Sequence, residues 1–258
     1  MKVTFLGSGT SFGVPVIGCA CPVCTSPDSR NRRTRHSLLL EESGRRLLID
    51  TPPELRLQLL GAGVRHIDAV YLSHMHADHT HGVDDLRIFS LRATDALPLY
   101  IASEYADELT RRFAYIWGQD EEAARWHVTP ELALRTFEDR EAIEVAGFPL
   151  LPIAFPHGYH RSYGFRLDDL AVIIDAKRVP SDAVSLLEGV RVLILNALWY
   201  GNPHPSHFNV EEAIEAAQLL GAERTYLTHL SHRLEHEVLE ERLPEGVFAA
   251  YDGLVVDV

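Results

Sequence analysis

The segment His74-Met75-His76-Ala77-Asp78-His79 constrains this chain more than any other feature. It follows an apolar stretch, Asp68–Ser73, that reads as a strand, so four strong metal donors fall on a loop where their side chains can converge. Imidazole suits zinc, iron, copper and nickel, and the carboxylate adds a harder oxygen ligand. His74 and His76 can serve one ion, and Asp78 with His79 supplies a second pair, as a two-metal site requires. A histidine-rich surface loop would need no partners downstream. Here there are three, each at the C-terminal end of an expected strand. His157 follows Phe155 and Pro156, Asp175 closes Leu170–Ile174, and His229 closes Arg224–Thr228. Singly, each reads as a packed histidine or a helix cap. With the cluster, they complete the count for two ions.

Composition narrows the rest. Of 258 residues, 46% are hydrophobic and 24% charged, an ordinary globular balance. No apolar run reaches the ~18 residues of a membrane span, and Met1–Leu6 runs at once into Gly-Ser-Gly, so neither membrane insertion nor export is expected. The formal charge of −13 is opposite in sign to what a long nucleic acid demands. The three cysteines, Cys19, Cys21 and Cys24, lie within six residues. That spacing suits a zinc clamp one ligand short better than a disulfide framework, and fits a cytoplasmic protein.

Strand patterns are expected over Met1–Leu6, Ser37–Glu41, Arg46–Asp50, Leu97–Ala102, Ala142–Phe155, Ser162–Arg166, Val190–Leu195 and Leu254–Val258. Helices are expected over Pro53–Gly61, Ser103–Trp117 (capped by Ser103), Val179–Leu187 and from Asn209 to Gly221, the last opened by an Asn209/Glu212 capping box. Residues 118–140 give no clear pattern. Strands in runs, rather than in strict alternation with helices, favour two mixed sheets with helices outside over a doubly wound parallel sheet.

The ordered set His-x-His-x-Asp-His, single His, single Asp, final His resembles the metallo-β-lactamase superfamily over the whole chain in outline. The resemblance implies an α/β fold, a four-layer αβ/βα sandwich formed by residues 1–258 as one domain, with a dinuclear site along one edge. It implies His74, His76 and His157 on one ion and Asp78, His79 and His229 on the other. Asp175 would bridge the two, and Asp50 would support the ligand loop from behind. The stretches Gly7-Ser8-Gly9-Thr10-Ser11-Phe12-Gly13-Val14-Pro15, Gly18–Cys24 and Thr228-His229-Leu230-Ser231-His232 are similar to the phosphoribosyl 1,2-cyclic phosphate phosphodiesterase family. That likeness implies a structural zinc on Cys19, Cys21, Cys24 and His232, His207 as general acid, and a homodimer. His204 is a close competitor for the acid role.

The expected activity is therefore metal-dependent hydrolysis of a small cyclic phosphate, by water that two divalent cations activate. Zinc or manganese, and also iron, suit the His/Asp set. Asp78 and His207 are the residues expected to be indispensable to catalysis. Arg161 and Tyr163 are candidates for phosphate or sugar contact. The alternatives are a tRNA 3′-end nuclease, against which the net charge stands, and thioester or lactam hydrolysis. The loop Ala197–His204 and the segment Ala106–Arg135 match no pattern of the family.

Overall fold

The computed structural model describes residues 1–118 and 129–258. Among the described residues, fourteen strands make two seven-stranded sheets. The first contains β1 (Lys2–Gly7), β2 (Ser37–Glu42), β3 (Arg45–Ile49), β4 (Ala69–Tyr71), β5 (Leu97–Ala102), β6 (Leu132–Phe137) and, at its edge, β14 (Val255–Asp257). The second contains β7 (Ile143–Val145), β8 (Phe148–His157), β9 (His160–Leu167), β10 (Leu170–Ile173), β11 (Val192–Asn196), β12 (Arg224–Thr228) and β13 (Val247–Ala249).

Both sheets follow one plan. In the first, β14-β1-β2-β3 pair antiparallel and β3-β4-β5-β6 parallel. In the second, β7-β8-β9-β10 pair antiparallel and β10-β11-β12-β13 parallel. Antiparallel strands are joined by tight turns such as Ser43-Gly44, whereas parallel neighbours need crossovers. Those crossovers include the outer helices Leu55–Gly61, Ala106–Arg112, Ser181–Leu187 and Val210–Leu220. The expected sandwich of two mixed sheets flanked by helices is therefore the observed one.

One core lies between the sheets. Val3, Phe5, Leu39 and Tyr71 of the first share it with Phe165, Val172, Ile194 and Tyr226 of the second. Tyr71 stacks on Phe137 at 5.0 Å and meets Phe165 edge-on at 5.4 Å. A second core fills the space between the second sheet and its helices, with Ile173, Leu195 and Leu227 against Ala183, Leu187, Val210 and Ala217.

Several boundaries differ from the sequence expectation. Ser103 does not cap: its hydroxyl donates to the Phe137 carbonyl at 3.2 Å, and a short 3-10 turn over Ser103–Tyr105 precedes the helix. The helix breaks at Phe113 and resumes over Ala114–Trp117. The strand expected over Ala142–Phe155 is a hairpin, turned at Ala146-Gly147 where both residues have positive φ. β6 lies in the stretch that gave no pattern, because its exposed residues alternate weakly, and β13 is too short to leave one. Part of the unmatched segment Ala106–Arg135 lies outside the described residues.

Candidate metal centre

Every donor of the histidine cluster stands just beyond a strand end. Asp50 follows β3, the segment His74–His79 follows β4, His157 ends β8, Asp175 follows β10 and His229 follows β12. Parallel neighbours bring their C-terminal ends to one edge, which is why donors distant in sequence meet there. Asp50, Asp175 and His229 have φ of 62°, 55° and 58°. Such left-handed backbone is unfavourable for residues other than glycine and concentrates at functional sites, where the surroundings enforce it.

The side chains form two sets that share Asp175. His74, His76, His157 and Asp175 make one, and Asp78, His79, His229 and Asp175 the other, each with its donor atoms within 4.8 Å of one another. His157 Nε2 lies 3.0 Å from His76 Nδ1, two atoms that would face one ion. Asp175 Oδ2 lies 3.5 Å from His74 Nε2 and 3.2 Å from His79 Nε2, and Oδ1 lies 3.2 Å from His229 Nε2. Nitrogens 2.0–2.1 Å from a tetrahedral ion are about 3.3 Å apart, so these separations match edges of coordination shells. His74 Nε2, His79 Nε2, both nitrogens of His229 and Asp175 Oδ1 are buried without a hydrogen bond. Buried polar atoms are seldom left so, and the residues therefore fit a pair of divalent cations.

Supporting contacts aim these lone pairs. The Asp50 carboxylate accepts from Ser73 N–H at 2.8 Å, Ser73 Oγ at 2.8 Å and His79 Nδ1 at 2.7 Å. In the neutral ring this leaves His79 Nε2 as an acceptor. Ser73 Oγ in turn meets His74 Nδ1 at 3.0 Å, and the Ser206 carbonyl accepts from His157 Nδ1 at 3.0 Å. Gly82 closes the ligand loop. Its N–H donates to the Thr51 carbonyl at 2.8 Å, and a Cβ there would meet the Pro52 oxygen at 2.1 Å. Burial pushes His74 well below the usual imidazole range and His157 down to about 4. Burial would raise Asp175, but His229, His79 and His207 hold it well below the carboxylate range. Burial alone would lower His79, yet Asp78, Asp175 and Asp50 raise it well above its ordinary value.

His207 and His204 take different places. His207 Nε2 lies 3.4 Å from Asp175 Oδ2, and its ring stacks on His229 at 5.0 Å. His204 sits behind it, Nδ1 to Nδ1 at 3.2 Å, with Ser206 Oγ 2.9 Å from His207 Nδ1. Tyr163, in contrast, is buried and donates to Glu104, while Arg161 is exposed beside Glu104 at 3.9 Å. Both are thereby paired with Glu104.

The second cluster converges as the spacing suggested. Cys19, Cys21 and Cys24 Sγ lie 3.4, 3.6 and 3.6 Å from His232 Nδ1. Sulfur at 2.3 Å and nitrogen at 2.0–2.1 Å around tetrahedral zinc are about 3.5 Å apart. The Cys24 backbone N–H, with smaller side-chain contributions, draws the Cys21 thiol down to about 6 against the effect of burial. Sequence reading passed over the groups that hold these loops. Fully buried Arg33 donates to the Ser231 and Leu234 carbonyls at 3.1 and 2.8 Å, and buried His36 meets Thr228 Oγ1 at 3.2 Å beside His229. An arginine inside Arg30–Arg35 reads as solvated, and only its burial separates it from its neighbours.

Comparisons with known proteins agree with this geometry. The model of the β-lactamase superfamily domain matches residues 45–230. A solved diphosphatase of the PhnP family superposes with a TM-score of 0.90, is 38% identical, and covers 100% of this chain and 97% of its own. The chain belongs to the β-lactamase superfamily and, within it, to the PhnP family. An octanoyltransferase of Porphyromonas gingivalis is 36% identical over 256 residues, which are 98% of this chain and 51% of that protein. A ribonuclease Z of Bradyrhizobium diazoefficiens is 31% identical over 137 residues, 52% of this chain and 44% of that protein. The chain thus spans about half the length of these curated relatives. Its two donor sets are those that a metal-dependent hydrolase of this superfamily would need.

Proposed function

We propose that this hydrolase is a phosphodiesterase of small cyclic phosphates, with phosphoribosyl 1,2-cyclic phosphate as the leading substrate. The observation that carries the reading is the sharing of Asp175 between two complete donor sets, with His207 beside it. His74, His76 and His157 would hold one divalent cation, Asp78, His79 and His229 the other, and Asp175 both. Zinc or manganese suits this mixed His/Asp set, and iron is also compatible. When bound, such a pair neutralises phosphate oxygens and lowers the pKa of the attacking water to near neutrality.

The chain's own residues do the rest. His207 is the proton donor to the leaving oxygen, with Nε2 facing the cluster and Nδ1 fixed by Ser206 and His204. His204, with His207 between it and Asp175, orients that ring. The Asp50 carboxylate keeps His79 in one tautomer. Cys19, Cys21, Cys24 and His232 would hold a structural zinc, the ion that thiolate-rich tetrahedral sites favour. Three unpaired thiols drawn onto one histidine support a reducing, cytoplasmic setting. Among the described residues, no helix is long and apolar enough to cross a membrane.

The sequence likeness to the Bradyrhizobium diazoefficiens ribonuclease Z covers only half of the chain, and the net charge of −13 opposes a grip on tRNA. The octanoyltransferase name belongs to a protein twice as long. The test is turnover of phosphoribosyl 1,2-cyclic phosphate, a 2′,3′-cyclic nucleotide and a precursor tRNA, with metal analysis of the same sample. Fast turnover of the cyclic sugar phosphate, with about three ions per chain, is expected. Preferred cleavage of the tRNA would overturn the reading while leaving the paired donor sets in place.

A further inference from the structure

The segment Ala106–Arg135 matches no pattern of the family, yet its first helix, Ala106–Arg112, reaches the donor cluster from outside. Arg112, the last residue of that helix, donates through Nη1 to the Met75 carbonyl. Glu108, one turn earlier, accepts from Arg112 Nη2. Met75 is buried between the donors His74 and His76. Among the described residues, Arg112 is the one hydrogen-bond donor to its carbonyl. A buried carbonyl seldom goes without a partner, so this contact constrains the peptide that joins Met75 to His76.

The chain just before the helix is fastened to the other side of the first donor set. The Tyr105 hydroxyl donates to the Arg161 carbonyl at 2.8 Å and accepts from the Arg161 N–H at 3.1 Å. Glu104 accepts from the Tyr163 hydroxyl. Arg161 and Tyr163 belong to β9, which pairs with β8, the strand that ends in His157. Glu104–Arg112 therefore bridges the hairpin that carries His157 and the loop that carries His74 and His76. His74, His76, Tyr105, Glu108 and Arg112 line one recess where the two meet.

Within that set, His76 depends most on its backbone. His74 Nδ1 meets Ser73 Oγ, and His157 Nδ1 meets the Ser206 carbonyl, both at 3.0 Å. The His76 ring approaches His157 through the atom that would face an ion, and makes no other hydrogen bond among the described residues. No side chain behind the ring orients it. In the second set, His79 is held separately, by Asp50.

We infer that Arg112 is a positioning residue for His76. Through it, the bridge Glu104–Arg112 tunes the cation site of His74, His76, His157 and Asp175 and leaves the site of Asp78, His79 and His229 alone. Glu108 fixes the guanidinium and offsets a positive charge that would otherwise oppose a nearby cation. The inference rests on the two-cation reading of the donor sets. It goes further in giving a helix outside both sets control over one ion only.

Chelator competition of the zinc-loaded protein, with metal analysis and far-UV circular dichroism at each step, tests this without any substrate. In Arg112→Ala, one ion should leave at about 10- to 100-fold lower chelator concentration than in wild type, as for loss of a group behind a ligand. The other dinuclear ion and the thiolate-held zinc should leave as in wild type. Arg112→Lys keeps a donor for the carbonyl but loses the fork that also reaches Glu108, so its effect should be intermediate. Two backgrounds identify the ion. Arg112→Ala should add nothing to His76→Ala, whose site is already impaired, and should act at full strength on His229→Ala.

Unchanged release in Arg112→Ala, an equal weakening of every ion, or an added loss on His76→Ala would overturn the positioning role and leave both donor sets in place. A wild-type protein that holds only one ion beside the thiolate-held zinc would overturn the two-cation reading, and the role of Arg112 with it.

Discussion

Asp50 shows how one buried carboxylate sets a whole ligand loop. It has zero exposure and accepts three hydrogen bonds, two of which reach His79 and Ser73 side chains. Asn adopts left-handed backbone more readily than most residues, so Asp50→Asn should fold. Its amide cannot accept from all three donors. Such partners behind a ligand are typically worth about 10- to 100-fold in metal affinity. Chelator titration followed by metal analysis should show that loss, and unchanged metal retention would refute the role. Asp78→Ala should abolish phosphodiester hydrolysis with far-UV circular dichroism retained. Turnover at the wild-type rate would contradict the two-ion arrangement. His207→Ala should lower kcat more than His204→Ala does, because only His207 faces Asp175.

Among the elements, the helix Val210–Leu220 connects stability to the site. Asn209 accepts from Glu212 N–H at 2.8 Å, Glu212 accepts from Asn209 N–H at 3.0 Å, and Asn209 Nδ2 donates to the Gly201 carbonyl at 2.6 Å. Asn209→Ala removes the cap and frees the Trp199–Asn202 loop. A loss of about 1–2 kcal/mol in urea unfolding is expected. A pH effect belongs to the helix His236–Arg242. Burial, reinforced by Arg30 and Arg33, pushes His236 down to about 4. Between that value and the unfolded imidazole value of about 6.5, the unfolded chain binds a proton that the folded chain does not. Its contribution is therefore present above pH ~6.5 and is lost as pH falls towards 4. His236→Gln should flatten the acid limb of the stability profile relative to wild type. Parallel profiles would show that the ring does not titrate in this way.

At the scale of the molecule, the Cys19–Cys24 loop is tied to the far end of the chain through His232. Cys21→Ser should lower zinc content by about one ion per chain and reduce the melting temperature. Unchanged zinc and melting would rule out a structural ion there. The homodimer implied by the family likeness has a surface to use. Leu60, 63% exposed, lines one recess with Ile88 and Leu91. Apolar surface gathered in this way marks interaction sites in soluble proteins. Sedimentation equilibrium should give twice the chain mass, and Leu60→Asp should return it to 28.9 kDa.

The histidine motif, the strand-end donors and the cysteine spacing were legible because metal chemistry restricts residue type and local spacing at once. The capping box at Asn209 was legible for the same reason, since its physics spans four residues. Seven donor positions that converge and the two-sheet architecture could thus be written down before any coordinates. What only the tertiary structure decided is what depends on separation in space between residues remote in the chain. Ser103 loses its cap to a carbonyl on β6. Arg33, one of several arginines in a row, becomes the buried clamp of a loop some 200 residues away. His207 and His204 are equivalent in sequence, yet only one turns to Asp175. Trp199 meets the Arg233 guanidinium only when folding brings the two loops together. A sequence records which donors exist and how they are spaced along the backbone; the direction in which each points is set by packing between elements.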